Sequence, residues 1–197
     1  GSIDIYLLDQ VLRGNVADDA VVLDAGCGAG RNLEYFIRQG HQVYGVDTKP
    51  LAIERVREWA GRLGSGLDDM DSRFRVEPVE ALSFPEGRFD LVICNAVLHF
   101  ARDVDHFVAM TEALARVAKP GGTVFTRLAS SIGIERFLDP ARAVPGWHRL
   151  PDGSDRFIVD LEFLLARTEA LGATLVDAIK TVNVQNRRCM TNWVWRR

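Results

Sequence analysis

The sequence predicts an α/β domain built on a doubly wound, mostly parallel sheet, and three stretches carry that expectation. Val21-Val22-Leu23-Asp24 suits a buried strand and runs into Ala25-Gly26-Cys27-Gly28-Ala29-Gly30, then a segment with helical spacing, Leu33 to Gln39. Strand, glycine turn and helix, in that order, open a ligand site at the carboxyl edge of a parallel sheet. The glycines suit it because positive φ is cheap for them and no Cβ keeps a ligand off the backbone. Gln42-Val43-Tyr44-Gly45-Val46 reads as a second strand, closed by Asp47. That carboxylate falls about twenty residues past the first glycine, where it can take both hydroxyls of a ribose. Arg88 to Asn95 is the third stretch, an apolar run suited to burial on both faces and ending in a polar side chain. Together these edges suggest a nucleoside derivative as ligand.

Taken in order, Ile3 to Leu12 places Ile5, Leu8 and Leu12 on one helical face, with Gly14-Asn15 as a stop. The first strand covers 21–24 and the first helix Arg31 to Gln39, ended by Gly40. Thr48 can cap the next helix and Pro50 falls in its first turn; Ala52, Val56, Trp59, Ala60 and Leu63 form its expected buried stripe. Gly64-Ser65-Gly66 with Asp68, Asp69 and Asp71 reads as a solvated loop, acidic but without calcium-ligand spacing. Arg73 to Glu77 is a short third strand, and Leu82 and Phe84 after it are core residues. Asp103 to Ala118 is an amphipathic helix broken by Lys119-Pro120-Gly121-Gly122, ahead of a strand from Thr123 to Thr126. Ser130 to Val159 shows no regular period, yet carries Phe137, Trp147, His148 and Phe157. A loop of that length in a small domain usually covers a site, and its aromatics argue against padding. Asp160 caps a last helix, Leu161 to Leu171, stopped by Gly172. Two strand-like runs, Thr174 to Val184 and Cys189 to Trp195, then form a hairpin around Gln185-Asn186-Arg187.

Leu23-Asp24-x-Gly26-Cys27-Gly28-x-Gly30 resembles the adenosyl-methionine loop of class I methyltransferases. Asn95-Ala96-Val97-Leu98-His99 and the Lys-Pro-Gly-Gly break extend the resemblance over nearly the whole chain. The resemblance implies a Rossmann-like, seven-stranded sheet with one antiparallel strand near the C-terminus. It implies one domain over 1–197: a leading helix (3–13), a cofactor-binding core (20–129), a substrate-side cap (130–159) and a final helix with hairpin (160–197). It also implies S-adenosyl-L-methionine as cofactor. Asp24 and the backbone from Gly26 through Cys27 and Gly28 to Gly30, next to Asn32, would take its methionine end. Asp47, followed by Thr48, would take the ribose, Val79 and Glu80 would flank the adenine, and Asn95 and Ala96 would lie beside the sulfonium. The family commonly has Asp where this chain has Pro78, which leaves Glu80 for the adenine amino group and the Val79 N–H for the ring. Arg31 either pairs with the cofactor's carboxylate or is an exposed first-turn arginine. The leading helix either covers the cofactor or simply packs. Gly30-Arg31-Asn32 and Arg188 to Val194 further resemble the tellurite-resistance-type, small-molecule branch.

A sulfonium methyl group is already activated, so the protein's main task is alignment, and catalytic residues leave little trace in sequence. His99 and His148 are the candidate general bases. A soft or deprotonated acceptor needs neither. The expected reaction is methyl transfer to a small molecule. An NAD-dependent oxidoreductase is the second reading, opposed by Arg31 where a dinucleotide site wants a third small residue, by the missing second mononucleotide half and by the terminal hairpin. A non-catalytic adenosyl-methionine-binding module is the third. Arg142, Arg149 and Arg156 in the cap suit an anionic acceptor or merely solubilise a loop.

At 197 residues and 47% hydrophobic content the chain can bury the core of one soluble domain. A formal charge of −3 gives no general reason to bind nucleic acid or anionic lipid, and Arg187, Arg188, Arg196 and Arg197 read as solvated strand ends. No apolar run approaches the roughly 20 residues that span a bilayer. Cys27, Cys94 and Cys189 are odd in number, far apart and set among apolar residues. They read as reduced core thiols of a cytoplasmic protein, not as a disulfide or metal site. The chain opens on Gly1-Ser2 without an initiator Met, so it is silent on any secretory signal.

Overall fold

The computed structural model describes residues 3–63 and 68–197; the expected Gly64-Ser65-Gly66 loop lies outside them. In chain order the elements begin with α1 (Ile5–Leu12), β1 (Val21–Ala25), α2 (Leu33–Arg38), β2 (Gln42–Asp47), α3 (Pro50–Leu63) and α4 (Met70–Arg73). There follow β3 (Phe74–Val76), β4 (Phe89–Asn95), α5 (Val104–Val117) and β5 (Ala118–Ala129). The last are β6 (Gly146–Arg149), β7 (Asp155–Ile158), α6 (Leu161–Ala170), β8 (Thr174–Leu175), β9 (Lys180–Val184) and β10 (Arg188–Arg196). The main sheet runs β3-β2-β1-β4-β5-β10-β8, with β9 also on β10. The first five strands in that order are parallel, and β10 lies antiparallel to β5. The order reverses at β1, so the carboxyl ends of β1 and β4 diverge and leave a crevice between their following loops.

Each face of the sheet carries its own core. Leu23, Val92, Val124 and Trp193 meet Phe107 and Leu114 of α5 and Leu164 of α6 on one side. Val22, Ile93, Phe125 and Val194 meet Leu7, Phe36, Ile53 and Val56 from α1, α2 and α3 on the other. Strands with apolar residues on both faces are what helices on both sides require.

Five expectations need correction, four of them in the helices, the β5 bulge and the cap. The leading helix buries Leu7 and Gln10, while Ile5 and Leu12 are exposed. Tertiary polar contacts set that rotation: Asp4 caps α1 and holds Arg127, and Gln10 and Arg13 both donate to Asp177. The α3 stripe is Ile53, Val56 and Ala60, with Leu63 exposed. Lys119-Pro120-Gly121-Gly122 does not precede β5 but forms a bulge inside it, since both Ala118 and Thr123 pair with β4. A Cβ at Gly122 would press on the Lys119 and Phe89 carbonyl oxygens, at 2.9 and 3.0 Å. Finally, the cap is not without regular structure: β6 and β7 make a separate antiparallel hairpin pairing Trp147 with Phe157.

The run from 174 to 184 is a single edge against β10, interrupted where Asp177 turns out to meet α1, which makes the sheet eight-stranded instead of seven. Arg13 is the main reason the Asp177 carboxyl titrates as low as about 2.

Candidate active site

The glycine turn after β1 is pinned to β2. The N–H groups of Gly26 and Cys27 both donate to the Val46 carbonyl at 2.8 Å. The Gly28 N–H donates to Asp47 Oδ2 at 2.9 Å, and the other Asp47 oxygen accepts from the Lys49 N–H at 2.9 Å. The turn needs its glycines for different reasons. Gly26 has a φ of +84° and its Cα abuts Val97; Gly28 has a φ of +53° and a Cβ there would meet nothing within 4 Å. Gly30 faces the other way, against Trp59 and Val56 of α3.

A cleft of about 500 Å³ opens beside this turn. Of the residues expected in the site, Gly26, Gly28, Asp47, Thr48, Val79, Glu80, Asn95 and Ala96 line it. Asp24 lies buried at the end of β1, and Cys27 is a core thiol whose pKa burial pushes up and whose Sγ donates to the Gly28 carbonyl at 3.6 Å. Asn32 is buried and accepts from the Asp4 N–H at 3.1 Å. Gly30 and Arg31 border a different hollow, with Trp59 and Arg62. Ala96 has a φ of +63° and donates its N–H to the Arg127 carbonyl at 2.7 Å. A non-glycine residue in that region is strained, and such outliers gather at functional sites.

Asp24 is the electrostatic anomaly. It is 1% exposed, and neither carboxylate oxygen has a hydrogen-bond partner among the described residues. Burial raises its pKa to about 7, opposed by Arg31 and by Asn32 beside it and reinforced by Asp47.

The two candidate bases stand outside the cleft. His99 is 5% exposed and its Nδ1 accepts from the Ala129 N–H at 3.1 Å, so any proton sits on Nε2. Burial, then Arg156 and Arg188, lower its pKa to about 4. His148 lies in the cap, with Nε2 at 3.1 Å from the Ala143 carbonyl. Sequence reasoning missed His106 of α5, which does line the cleft. Its Nδ1 accepts from the Arg102 N–H at 3.0 Å, and its Nε2 lies 3.0 Å from Glu80 Oε1. Arg102 stands 3.6 Å from the same oxygen, so two groups of the far wall approach Glu80. Phe100 and Met110 complete that wall. The cap arginines are engaged locally: Arg142 with Asp139 and Arg149 with Asp155, while Arg156 lies over Phe100.

Comparison with known proteins meets the same residues. A family model described as a methyltransferase domain matches residues 23–126, more than half of the chain, from β1 into β5. The chain is 39% identical over 104 residues to a ubiquinone biosynthesis O-methyltransferase of Methylocella silvestris, covering 53% of this chain and 38% of that protein. It is 30% identical over 168 residues to the protein of the same name in Methylobacterium nodulans, covering 82% of this chain and 62% of the relative. The chain thus spans from over a third to under two thirds of these relatives' length, and neither speaks to the tellurite-resistance-type branch. Among solved structures it shares its fold with the Burkholderia thailandensis 1,6-didemethyltoxoflavin-N1-methyltransferase bound to S-adenosylhomocysteine. That match has a TM-score of 0.69 at 24% identity and covers 95% of this chain and 75% of that one. The chain belongs to the class I S-adenosyl-L-methionine-dependent methyltransferase family.

Proposed function

We propose that this chain, as one domain over 1–197, binds S-adenosyl-L-methionine in the cleft and moves its methyl group to a small-molecule acceptor by in-line displacement. The observation that carries the reading is Asp24, a carboxylate buried without a partner beside a turn whose Gly28 faces open space. Burying an unpaired charge is costly, and the ammonium of the cofactor's amino-acid end is the cation that would complete it. Gly26 and Gly28 leave the backbone bare for that end. Asp47 spends one acceptor site on each backbone N–H, which leaves lone pairs on both oxygens for two ribose hydroxyls. Val79 offers an apolar seat to the adenine, and Glu80, approached by His106 and Arg102, an acceptor for its amino group.

When bound, the cofactor supplies a methyl group activated by positive sulfur. The chain's own contribution is to orient donor and acceptor, an effect able to supply about 7–11 kcal/mol. Asn95 and the strained Ala96 border the place where the two would meet. His106 is the imidazole that lines the cleft among the described residues. Its Nδ1 is taken by the Arg102 N–H while its Nε2 lies against Glu80, so the acceptor that suits the cleft is a soft or already deprotonated nucleophile. The relatives' names support a small-molecule acceptor. Three buried, free cysteines suit the cytoplasm, and no helix among the described residues is long and apolar enough to cross a membrane.

With His106 engaged in this way, one second reading is favoured, a module that binds the cofactor without transfer. Titration with S-adenosylhomocysteine, followed by a transfer screen with methyl-labelled donor across phenols, thiols and amines, separates the two. Binding with labelled product supports the enzyme; binding without product across the screen supports the module. A melting shift with NADH and none with S-adenosylhomocysteine would return the chain to the oxidoreductase reading.

A further inference from the structure

Among the described residues, six of the nine buried side-chain polar atoms without partners lie on one face of the sheet: both Asp24 oxygens, Asn95 Nδ2, Arg127 Nε and both amide atoms of Asn192; the other three, on His106, His148 and Trp195, lie elsewhere. Strand pairing explains the cluster. Asn95 on β4 is in register with Arg127 on β5, and Arg127 with Asn192 on β10. The three form a row at the carboxyl edge, on the face that carries Ile93, Phe125 and Val194. The row begins beside the cofactor cleft and runs away from it for two strand spacings, about 10 Å.

The leading helix lies against the Arg127 and Asn192 part of this row. The Arg127 guanidinium lies 5.2 Å from the Tyr6 ring centre, and Asn192 shares a small hollow of about 10 Å³ with Tyr6 and Gln10. A covering helix would pack better on apolar residues, because each unpartnered buried polar group carries the full penalty of its lost hydration. Arg127 is the clearest case. Its Nη1 donates to Asp4 Oδ2 at 2.9 Å, but its Nε meets nothing. The other Asp4 oxygen caps α1 by accepting from the Tyr6 N–H at 3.0 Å. A guanidinium is shaped to grip a planar carboxylate at two points, and Asp4 supplies only one.

We infer that the Asn95–Arg127–Asn192 row recognises a carboxylate carried by the methyl acceptor, and that Asp4 holds the place of that carboxylate in the free protein. The inference rests on the methyl-transfer reading of the cleft. The acceptor's carboxylate takes the Nε–Nη edge of Arg127, and the two amides serve the polar groups beside it. Gln10 and Arg13 fasten the far end of α1 to Asp177, so entry of the carboxylate requires the Asp4 end to leave Arg127 and its N–H bond to Asn32. The cofactor's amino-acid end carries the same chemistry. Arg127 and Asn192, however, sit one and two strands beyond Asn95 and do not line the cofactor cleft.

The test is calorimetric titration of the whole chain with 4-hydroxybenzoate and 4-hydroxybenzamide, with and without saturating S-adenosylhomocysteine. Wild type, Arg127→Gln and Asp4→Asn are compared; asparagine keeps the helix cap. Wild type should prefer the carboxylate by about tenfold or more, the worth of a charge-assisted hydrogen bond. Arg127→Gln should erase that preference while S-adenosylhomocysteine affinity stays within about twofold, and Asp4→Asn should tighten carboxylate binding several-fold. Equal or absent binding of acid and amide by wild type overturns the inference. So does an Arg127→Gln variant that loses S-adenosylhomocysteine but keeps the acid–amide preference, since the row would then serve the cofactor. Failure of wild type to bind S-adenosylhomocysteine counts against the cleft alone, because the row is read independently by the titration without it.

Discussion

Asp24 holds a carboxyl group where the fold opposes its charge, and that conflict has a measurable sign. Burial, the largest cause, takes the group from the ordinary 3.8 to about 7. In the window from about 4 to 7 the folded chain keeps a proton that the unfolded chain has lost, so stability falls as pH rises through it. Above that window the full difference opposes the fold, on the order of 4 kcal/mol by linkage. Asp24→Asn removes the titration. The variant should melt above wild type at about pH 8, by up to that amount less the residual burial of an unpartnered amide, and the gap should close as pH falls to about 4. Cofactor binding runs the other way, because the cationic amino end favours the ionised form. S-adenosylhomocysteine affinity should therefore fall as pH drops below about 7, approaching tenfold, or about 1.4 kcal/mol, per pH unit, with a proton released on binding. Asp24→Asn should lose most of the affinity and this pH dependence with it. Scanning calorimetry, with titrations in buffers of different ionisation enthalpy, reads both effects. Identical melting of the two proteins at high pH, or a wild-type affinity flat across the window, would refute the reasoning.

Three further outcomes are expected. Asp47→Ala should weaken S-adenosylhomocysteine by about 1.5–3 kcal/mol, and unchanged affinity in a folded variant removes Asp47 from the site. Gly28→Val should abolish that binding for a folding penalty of about 1–2 kcal/mol from its positive φ. Gly30→Ala, driven against Trp59 and Val56, should instead lose about 1–3 kcal/mol of stability; urea titration beside calorimetry tells the two glycines apart. His99→Leu strands the Ala129 N–H and should cost about 1–3 kcal/mol, without altering the pH profile of methyl transfer above about 5. Because burial holds the His99 pKa at about 4, below the ordinary 6.5, its contribution is full above about 6.5 and drains away as pH falls through the lower value. An acid limb of the stability curve identical in wild type and His99→Leu would contradict that assignment.

The parts of the site that could be read from sequence are those whose chemistry is local. A strand that ends in Asp24, turns through Gly26 and Gly28 and meets Asp47 at the next strand end shows itself within thirty residues by type and spacing. Asn95 was legible because an apolar strand rarely ends in an amide without cause. What depended on tertiary partners was not. The eight residues of α1 have apolar side chains on both sides, and the contacts of Asp4 and Gln10 chose between them. His106 looks like part of the polar side of an amphipathic helix, and only the approach of Glu80 brings it to the cleft. The β6–β7 strands are four residues each and mix arginine and histidine with aromatics, too short for a period to emerge. The Arg127–Asn192 pairing joins strands more than sixty residues apart, and no local pattern announces it.

The claim that the carboxyl edges of β1, β2 and β4 form a cradle for S-adenosyl-L-methionine is tested most directly by a crystal structure grown with S-adenosylhomocysteine. The ribose should rest on Asp47, the amino end beside Asp24 and the sulfur next to Asn95. A nucleoside bound elsewhere, or a cleft that stays empty at saturating ligand, would contradict it.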